Sequence, residues 1–307
     1  MSPTINPSWR PSARACCSAE DVMSETVLVT ETLRDAWQGL PRSVPTADKR
    51  AFIQRLLDAG FRSLDVGSFV SPKLVPTMAD SDAVLDGVNV PEGVSCMALV
   101  ANEKGLERLL AVPAINEVLY PFSLSESFQL RNTNRGREQA LEGLAAITAR
   151  AHERGRTVYA TISMAFGNNE GDPYDPRELA AWMARLDAIG VDRIGLADTT
   201  AQADASVLSR VLAVVAAERA GALPGLHLHA TPQGAPDLID AALDAGCRAF
   251  DAALGGLGGC QFAQGPESNL STRLLGERVA ARGLAVDLPL TALPDLDVAA
   301  RRLAADA

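Results

Sequence analysis

Eight short runs of β-branched or apolar residues alternate with longer amphipathic segments along this chain. No other feature restricts its architecture as much. The runs are TVLVTETL (26–33), SLDVGSF (63–69), VSCMALV (94–100), INEVLYPF (115–122), TVYATIS (157–163), DRIGLAD (192–198), GLHLHA (225–230) and AFDAAL (249–254). Between them lie segments of helical period, such as TADKRAFIQRLLDAG (46–60) and DPRELAAWMARLDAIG (175–190), and several close on a glycine at the stop position, Gly60, Gly190 and Gly246 among them. Strict alternation of eight units with no break in composition predicts a (β/α)8 TIM barrel over residues 26–282 rather than a doubly wound sheet. Residues 283–307 read as a loop and a final helix packed on the barrel, a C-terminal helical extension. Residues 1–25 hold Pro, Ser, Arg and two cysteines but no apolar core, so they read as a disordered leader, with Met23 as an alternative start.

Composition narrows the function by exclusion. A formal charge of −10 leaves no basic field for nucleic acid or an anionic membrane surface. No apolar run approaches a membrane span. The five cysteines, Cys16, Cys17, Cys96, Cys247 and Cys260, are scattered without CxxC spacing, which suits neither a disulfide scaffold nor a structural zinc site. A reducing compartment, the cytoplasm, is expected. A small-molecule ligand is the remaining class of partner, and a homo-oligomer, a dimer, the expected assembly.

Barrel active sites lie at the carboxyl ends of the strands. Arg34 and Asp35 close the first run, Asp65 the second and Asp198 the sixth; His227 and His229 lie on the seventh, and Cys260 follows the eighth. In a strand, residues i and i+2 share a face, so both imidazoles turn toward the barrel axis. Two imidazoles with a carboxylate, Asp35, and a neutral oxygen, Asn269, make a site for a divalent metal, Mg²⁺ or Mn²⁺, with Zn²⁺ the runner-up. The plainer alternative is a pair of hydrogen-bonded core histidines. Arg34 stabilises a developing enolate oxygen, forms a salt bridge to Asp65 or Asp198, or does both. Cys260 stands in the glycine-crowded stretch GGLGGCQFAQGPESNLST (255–272) and is either a general acid or a packed thiol. Cys96 and Cys247 read as packing residues, and His152 as solvated.

Taken together these segments resemble the 3-hydroxy-3-methylglutaryl-CoA lyase family of metal-dependent TIM-barrel lyases, related to Claisen-type synthases. GLGGCQFAQGPESNLST looks like that family's active-site cysteine loop, SFVSPKLVPTMADSDAVL (68–85) like the segment after its second strand, LRDAWQ (33–38) like its Arg-Asp-Gly-Leu-Gln motif and LADT (196–199) like its Leu-Gly-Asp-Thr. The resemblance implies metal ligation by Asp35, His227, His229 and Asn269, and catalytic roles for Arg34, Cys260, Asp198 and Asp65. Gln38, Asn134 and Arg273 are expected to bind substrate. The implied reaction is cleavage of a 3-hydroxy-acyl-CoA to acetyl-CoA and an oxo acid. Condensation in the reverse sense and a non-catalytic coenzyme A-binding barrel are the alternatives. The segment SESFQLRNTNRGR (125–137) offers Arg131, Arg135 and Arg137 to coenzyme A phosphates. The chain departs from the family where Asp65 replaces a Glu, Ala230 an Asp, Met164 a Cys and Arg273 a Glu. Arg273 and Ala230 lead to the expectation of a substrate more anionic than hydroxymethylglutaryl-CoA, or differently shaped.

Overall fold

The computed structural model describes residues 26–259 and 268–307. The expected leader and Cys260 fall outside the described residues. Strands run β1 (Thr26–Thr32), β2 (Ser63–Ser68), β3 (Ser95–Leu99), β4 (Glu117–Ser123), β5 (Thr157–Ser163), β6 (Arg193–Ala197), β7 (Gly225–His227), β8 (His229–Ala230), β9 (Ala249–Ala252), β10 (Ser268–Asn269) and β11 (Ala285–Val286). The sheet order is β1-β2-β3-β4-β5-β6-β7-β9, all parallel, and β9 pairs back onto β1 through Leu28↔Ala249 to Glu31↔Ala252. Among the described residues this is a closed barrel of eight parallel strands with helices between them: a TIM barrel. Closure removes both sheet edges, and short β11 pairs beside the start of β1.

The helices form where apolar residues recur at helical spacing. In Thr46–Ala59 the side chains of Phe52, Ile53, Leu56 and Leu57 are buried, and Gly60 ends the helix with a left-handed φ of +103°. Outward-facing Val27, Val29, Leu64, Val66, Val118 and Val158 join the helix faces in one apolar core. Low on the barrel, Arg193 grips Glu117 with two hydrogen bonds, Nε to Oε1 at 2.8 Å and Nη2 to Oε2 at 2.9 Å. The strand starts are thus tied by structural charge pairs, and the strand ends are left for chemistry.

Three local differences from the sequence reading matter. β1 ends at Thr32, so Arg34 and Asp35 sit in a six-residue helix, Leu33–Gln38. The seventh strand breaks at Leu228: β7 continues the barrel, while β8 turns away to pair antiparallel with β10, His229 opposite Asn269. Asp65 lies in the middle of β2, level with Thr32 at the end of β1, because the strands are staggered.

Glu31 fastens both stems of the glycine-rich loop. Its Oε1 accepts from Leu254 N (2.7 Å) and its Oε2 from Thr272 Oγ1 (2.5 Å), one on each side of the loop. Burial pushes its carboxyl from 4.5 up to about 8, against the hydrogen bonds, so it is protonated at neutral pH. A carboxyl raised this way favours the fold below its ordinary value, and that contribution is lost as pH rises through about 8. Glu31→Gln, whose Oε1 still accepts from Leu254 N and whose NH₂ donates to a Thr272 hydroxyl rotated to accept, is expected to preserve stability and erase that pH dependence. Glu31→Ala strands the Leu254 N–H and is expected to cost about 1–3 kcal/mol. Thermal unfolding between pH 6 and 9 reads both effects.

Candidate active site

The carboxyl ends of the strands open into a cavity of about 360 Å³. Arg34, Asp35, Gln38, Asp65, His227, His229, Asp251 and Gly259 are among its lining residues. The helix Leu33–Gln38 turns directly off β1 and holds Arg34 and Asp35 at the rim. Asn269 reaches the same place from β10, through its pairing with His229.

Asn269 fixes the local geometry. Its Nδ2 donates to Asp35 Oδ2 (2.7 Å) and to Leu257 O (2.8 Å), which uses both amide hydrogens. Its Oδ1 is therefore the atom that faces His229 Nε2, 3.1 Å away. His229 Nε2 also lies 3.2 Å from His227 Nε2. A single proton on His229 Nε2 can serve only one of these neighbours, so hydrogen bonding alone does not account for three donor atoms gathered this closely. Metal–ligand bonds of about 2.1 Å at octahedral to tetrahedral angles put adjacent donors about 3.0–3.4 Å apart. Ligand atoms of Asp35, His227 and His229 all lie within 4.8 Å of one another. Two imidazole nitrogens, a carboxylate and an amide oxygen fit a divalent cation. Gly258 makes the approach possible: its φ is +80°, and a Cβ there would meet Asp35 O at 2.6 Å and Asn269 Nδ2 at 2.8 Å.

Charge in the site is arranged around one guanidinium. Arg34 donates from Nε to Asp65 Oδ2 (2.9 Å) and from Nη1 to Asp35 Oδ1 (2.8 Å). Burial raises Asp35, but Arg34, both histidines and Asn269 outweigh it and hold the carboxyl below the usual range. Burial dominates at Asp65 and pushes it up to about 6 despite Arg34. His229 is pushed down to about 4 by burial and by His227, which favours the neutral, ligating form. His227 goes the other way: Asp251 and Asp35 overcome burial and raise it.

Asp251 and Tyr159 belong to the site and were not found in the sequence. Asp251 Oδ2 stands 3.4 Å from His227 Nδ1 and accepts from Tyr159 Oη at 3.2 Å. This carboxylate turns His227 so that Nε2 points at His229, the outer support that metal-binding histidines need. The available signals were an acid inside the apolar run of β9 and Gly195 on β6, where any Cβ would strike the Tyr159 ring. Asp251→Asn is expected to weaken divalent-metal affinity about 10- to 100-fold, read by Mn²⁺ titration.

The structure does not bring every expected residue to the cavity. Asp198 is buried, but its oxygens accept from Gln202 N (2.8 Å) and Ala203 N (3.0 Å), so it staples its own loop while Ala197 and Thr199 face the cavity. Asn134 caps the helix Glu126–Thr133 in a left-handed turn and is exposed; its neighbours Asn132 and Thr133 line the cavity instead. Arg273 stands on the helix Thr272–Ala281, paired with Glu277 at 2.8 Å, away from the cavity lining. Arg131 and Arg137 are held by Glu170, Glu126 and Glu178. Cys96 and Cys247 are buried, with thiols pushed up to about 12 by burial, and His152 pairs with Asp192.

The profile of the HMGL-like family matches residues 26–298. The 3-hydroxy-3-isohexenylglutaryl-CoA/hydroxy-methylglutaryl-CoA lyase of Pseudomonas aeruginosa is 35% identical over 78% of this chain and 79% of its own length. The HMG-CoA lyase of Brucella melitensis superposes with a TM-score of 0.86 at 32% identity, covering 92% of this chain and 100% of that one. The HMG-CoA lyase of Acinetobacter baumannii, solved with coenzyme A and 3-methylmalate, superposes with a TM-score of 0.84 at 30% identity, over 92% of each chain. No helix among the described residues is long and apolar enough to cross a membrane.

Proposed function

The chain belongs to the HMGL-like family, and from that premise we propose that it cleaves a 3-hydroxy-3-substituted glutaryl-CoA to acetyl-CoA and a 3-oxo acid. The observation that carries this reading is the convergence of Asp35, His227, His229 and Asn269 beside Arg34. Asp35, His227, His229 and Asn269 would hold a divalent ion, Mg²⁺ or Mn²⁺ in this reading, which would supply Lewis acidity toward substrate oxygens.

The protein's own groups divide the remaining work. Asp65 Oδ2 is committed to Arg34 and Thr32, while its Oδ1 is buried with no hydrogen-bond partner among the described residues. With a carboxyl near 6, Asp65 is ionised at neutral pH yet basic enough to take the hydroxyl proton. The C2–C3 bond then breaks, its electron pair passes to C2 as the thioester enolate, and the C3 oxygen becomes a ketone. Arg34, fixed by two carboxylates, stabilises the enolate oxygen without reorganising. Cys260 follows Gly259 in the chain and, as a general acid, would deliver a proton to C2. Phe128, Asn132 and Thr133 line the cavity, so coenzyme A is read as leaving past the helix that carries them. A homodimer in the cytoplasm completes the reading.

The test is release of acetyl-CoA from hydroxymethylglutaryl-CoA with Mg²⁺ or Mn²⁺, and its loss on chelation. No cleavage in the presence of metal, with free coenzyme A released from acetyl-CoA and an oxo acid, would assign condensation instead.

A further inference from the structure

The first stem of the glycine-rich loop is held from outside the barrel by the helix Leu293–Ala305. After β9 the chain reads Leu254-Gly255-Gly256-Leu257-Gly258-Gly259, so this stem has few side chains with which to hold its place. Hydrogen bonds to its backbone set its position instead. Glu31 takes Leu254 N from the barrel side. Asp297, buried on the outer helix, takes the next amide: its Oδ1 accepts from Gly255 N at 2.5 Å. The helix comes this close because residue 255 is glycine; φ there is +74°, and a Cβ would meet Arg301 Cγ at 2.9 Å. Leu293, Leu296 and Ala300 bury the helix in the main core, which makes it a firm support.

Farther along the same stem, two backbone groups meet the site. Leu257 O accepts from Asn269 Nδ2, and Gly259 N donates to Asp35 Oδ2 at 3.3 Å. Asn269 presents Oδ1 to His229 because Leu257 O and Asp35 Oδ2 take its two amide hydrogens. Asp297 itself is not among the described lining residues of the cavity. We propose that Asp297 is a positioning residue for the divalent-metal site: by fixing Gly255 it seats Leu257 O against the Asn269 amide and keeps Asn269 Oδ1 turned toward His229. The inference rests on the metal site of the function proposed above and not on the reaction. Hydrogen bonds weaken steeply when bent, so a small slide of the stem frees one amide hydrogen and lets the amide turn. A carboxylate outside the cavity thereby governs which atom of Asn269 faces the ion.

The test is Mn²⁺ affinity of the full chain, measured by calorimetry at a temperature where circular dichroism shows each variant folded. Asp297→Leu, which removes the acceptor, is expected to weaken Mn²⁺ binding about tenfold or more, as loss of an outer support does at other metal sites. Asp297→Asn keeps an oxygen for Gly255 N and is expected to stay within about twofold of the parent. If the Leu variant does not fold, Asp297→Ser, whose hydroxyl stops short of Gly255 N, carries the same expectation. In an Asn269→Ala background no amide is left to turn, so Asp297→Leu or Asp297→Ser is expected to cause no further loss. A role confined to folding would lower the unfolding temperature and leave the affinity of the folded protein unchanged. Parent-like affinity in the Leu or Ser variant therefore overturns the proposal, as does a full additive loss in the Asn269→Ala background. A parent that binds no Mn²⁺ overturns it together with the metal site. The expected order of affinities in a protein that cleaves no thioester upholds the positioning role and overturns the cleavage reaction.

Discussion

Replacing Arg34 with Met is expected to lower kcat by about 10²–10³-fold and to cost about 3–5 kcal/mol of folding stability. The rate loss follows from position: the guanidinium lines the cavity, and no other Arg or Lys among the described lining residues could take over the enolate oxygen. The stability loss follows from what remains. Asp65 is buried and Asp35 half-buried around Arg34, and removing the guanidinium leaves the buried Asp65 carboxyl without its counter-charge. Arg34→Lys separates the two effects, because an ammonium restores the charge but not the planar fork that reaches both acids. It is expected to recover much of the stability and little of the rate. Single-turnover rates and thermal unfolding measured on the same samples check this. A Met variant within tenfold of the parent rate would make Arg34 a structural ion pair only.

Asp65 adds a pH dependence with opposite signs for stability and rate. Its carboxyl, raised from 3.8 to about 6 chiefly by burial, favours the fold while protonated. That stabilisation is complete below the ordinary value and is lost as pH rises through about 6, whereas turnover, which needs the carboxylate, rises over the same interval. In Arg34→Met the midpoint moves higher, since Arg34 is what offsets burial at Asp65. A kcat profile between pH 5 and 8 shows both the limb and its displacement.

The barrel was legible because its signals are local. Most strand bounds agree with the apolar runs within two residues, since β-branched residues and the polar turns around them define a strand without long-range information. The cluster of Arg34, Asp35, His227, His229 and Asn269 was legible because these residue types are rarely placed together at strand ends for packing. What escaped needed three dimensions. Asp198 looks like an active acid in a strand-end motif, but the loop that follows returns two backbone N–H groups to it. Arg273 sits four residues past Asn269, yet the helix that begins at Thr272 carries it away from the cavity. Asp251 and Tyr159 become partners only through barrel closure, across a separation of 92 residues. At the break at Leu228, the pairing with the barrel ends at His227 and His229 pairs instead with Asn269 of β10, a residue forty positions away.

Asp35→Asn is expected to abolish metal binding and with it the reaction, while the fold survives. The substitution keeps volume and removes one negative charge from a site whose remaining donors, two neutral imidazole nitrogens and an amide oxygen, are uncharged. It also breaks hydrogen bonding at the same atoms. In the parent, Asp35 Oδ1 accepts from Arg34 and Oδ2 accepts from Asn269 Nδ2 and Gly259 N. An amide accepts on one side only, so its NH₂ must oppose either the guanidinium or the Asn269 amide. The second arrangement drives Asn269 to flip, which turns Nδ2 toward His229 and withdraws another ligand oxygen. In that arrangement one substitution disturbs two of the four donors. Calorimetric titration with Mn²⁺ should show no binding up to millimolar metal, and acetyl-CoA release should fall at least about a thousandfold, in line with the several kcal/mol that a Lewis-acidic ion contributes. Unfolding should shift little, because Arg34 keeps its pair with Asp65. Parent-like Mn²⁺ affinity in this variant would remove Asp35 from the ligand set, whereas no Mn²⁺ binding by the parent itself would leave the two histidines as a hydrogen-bonded pair.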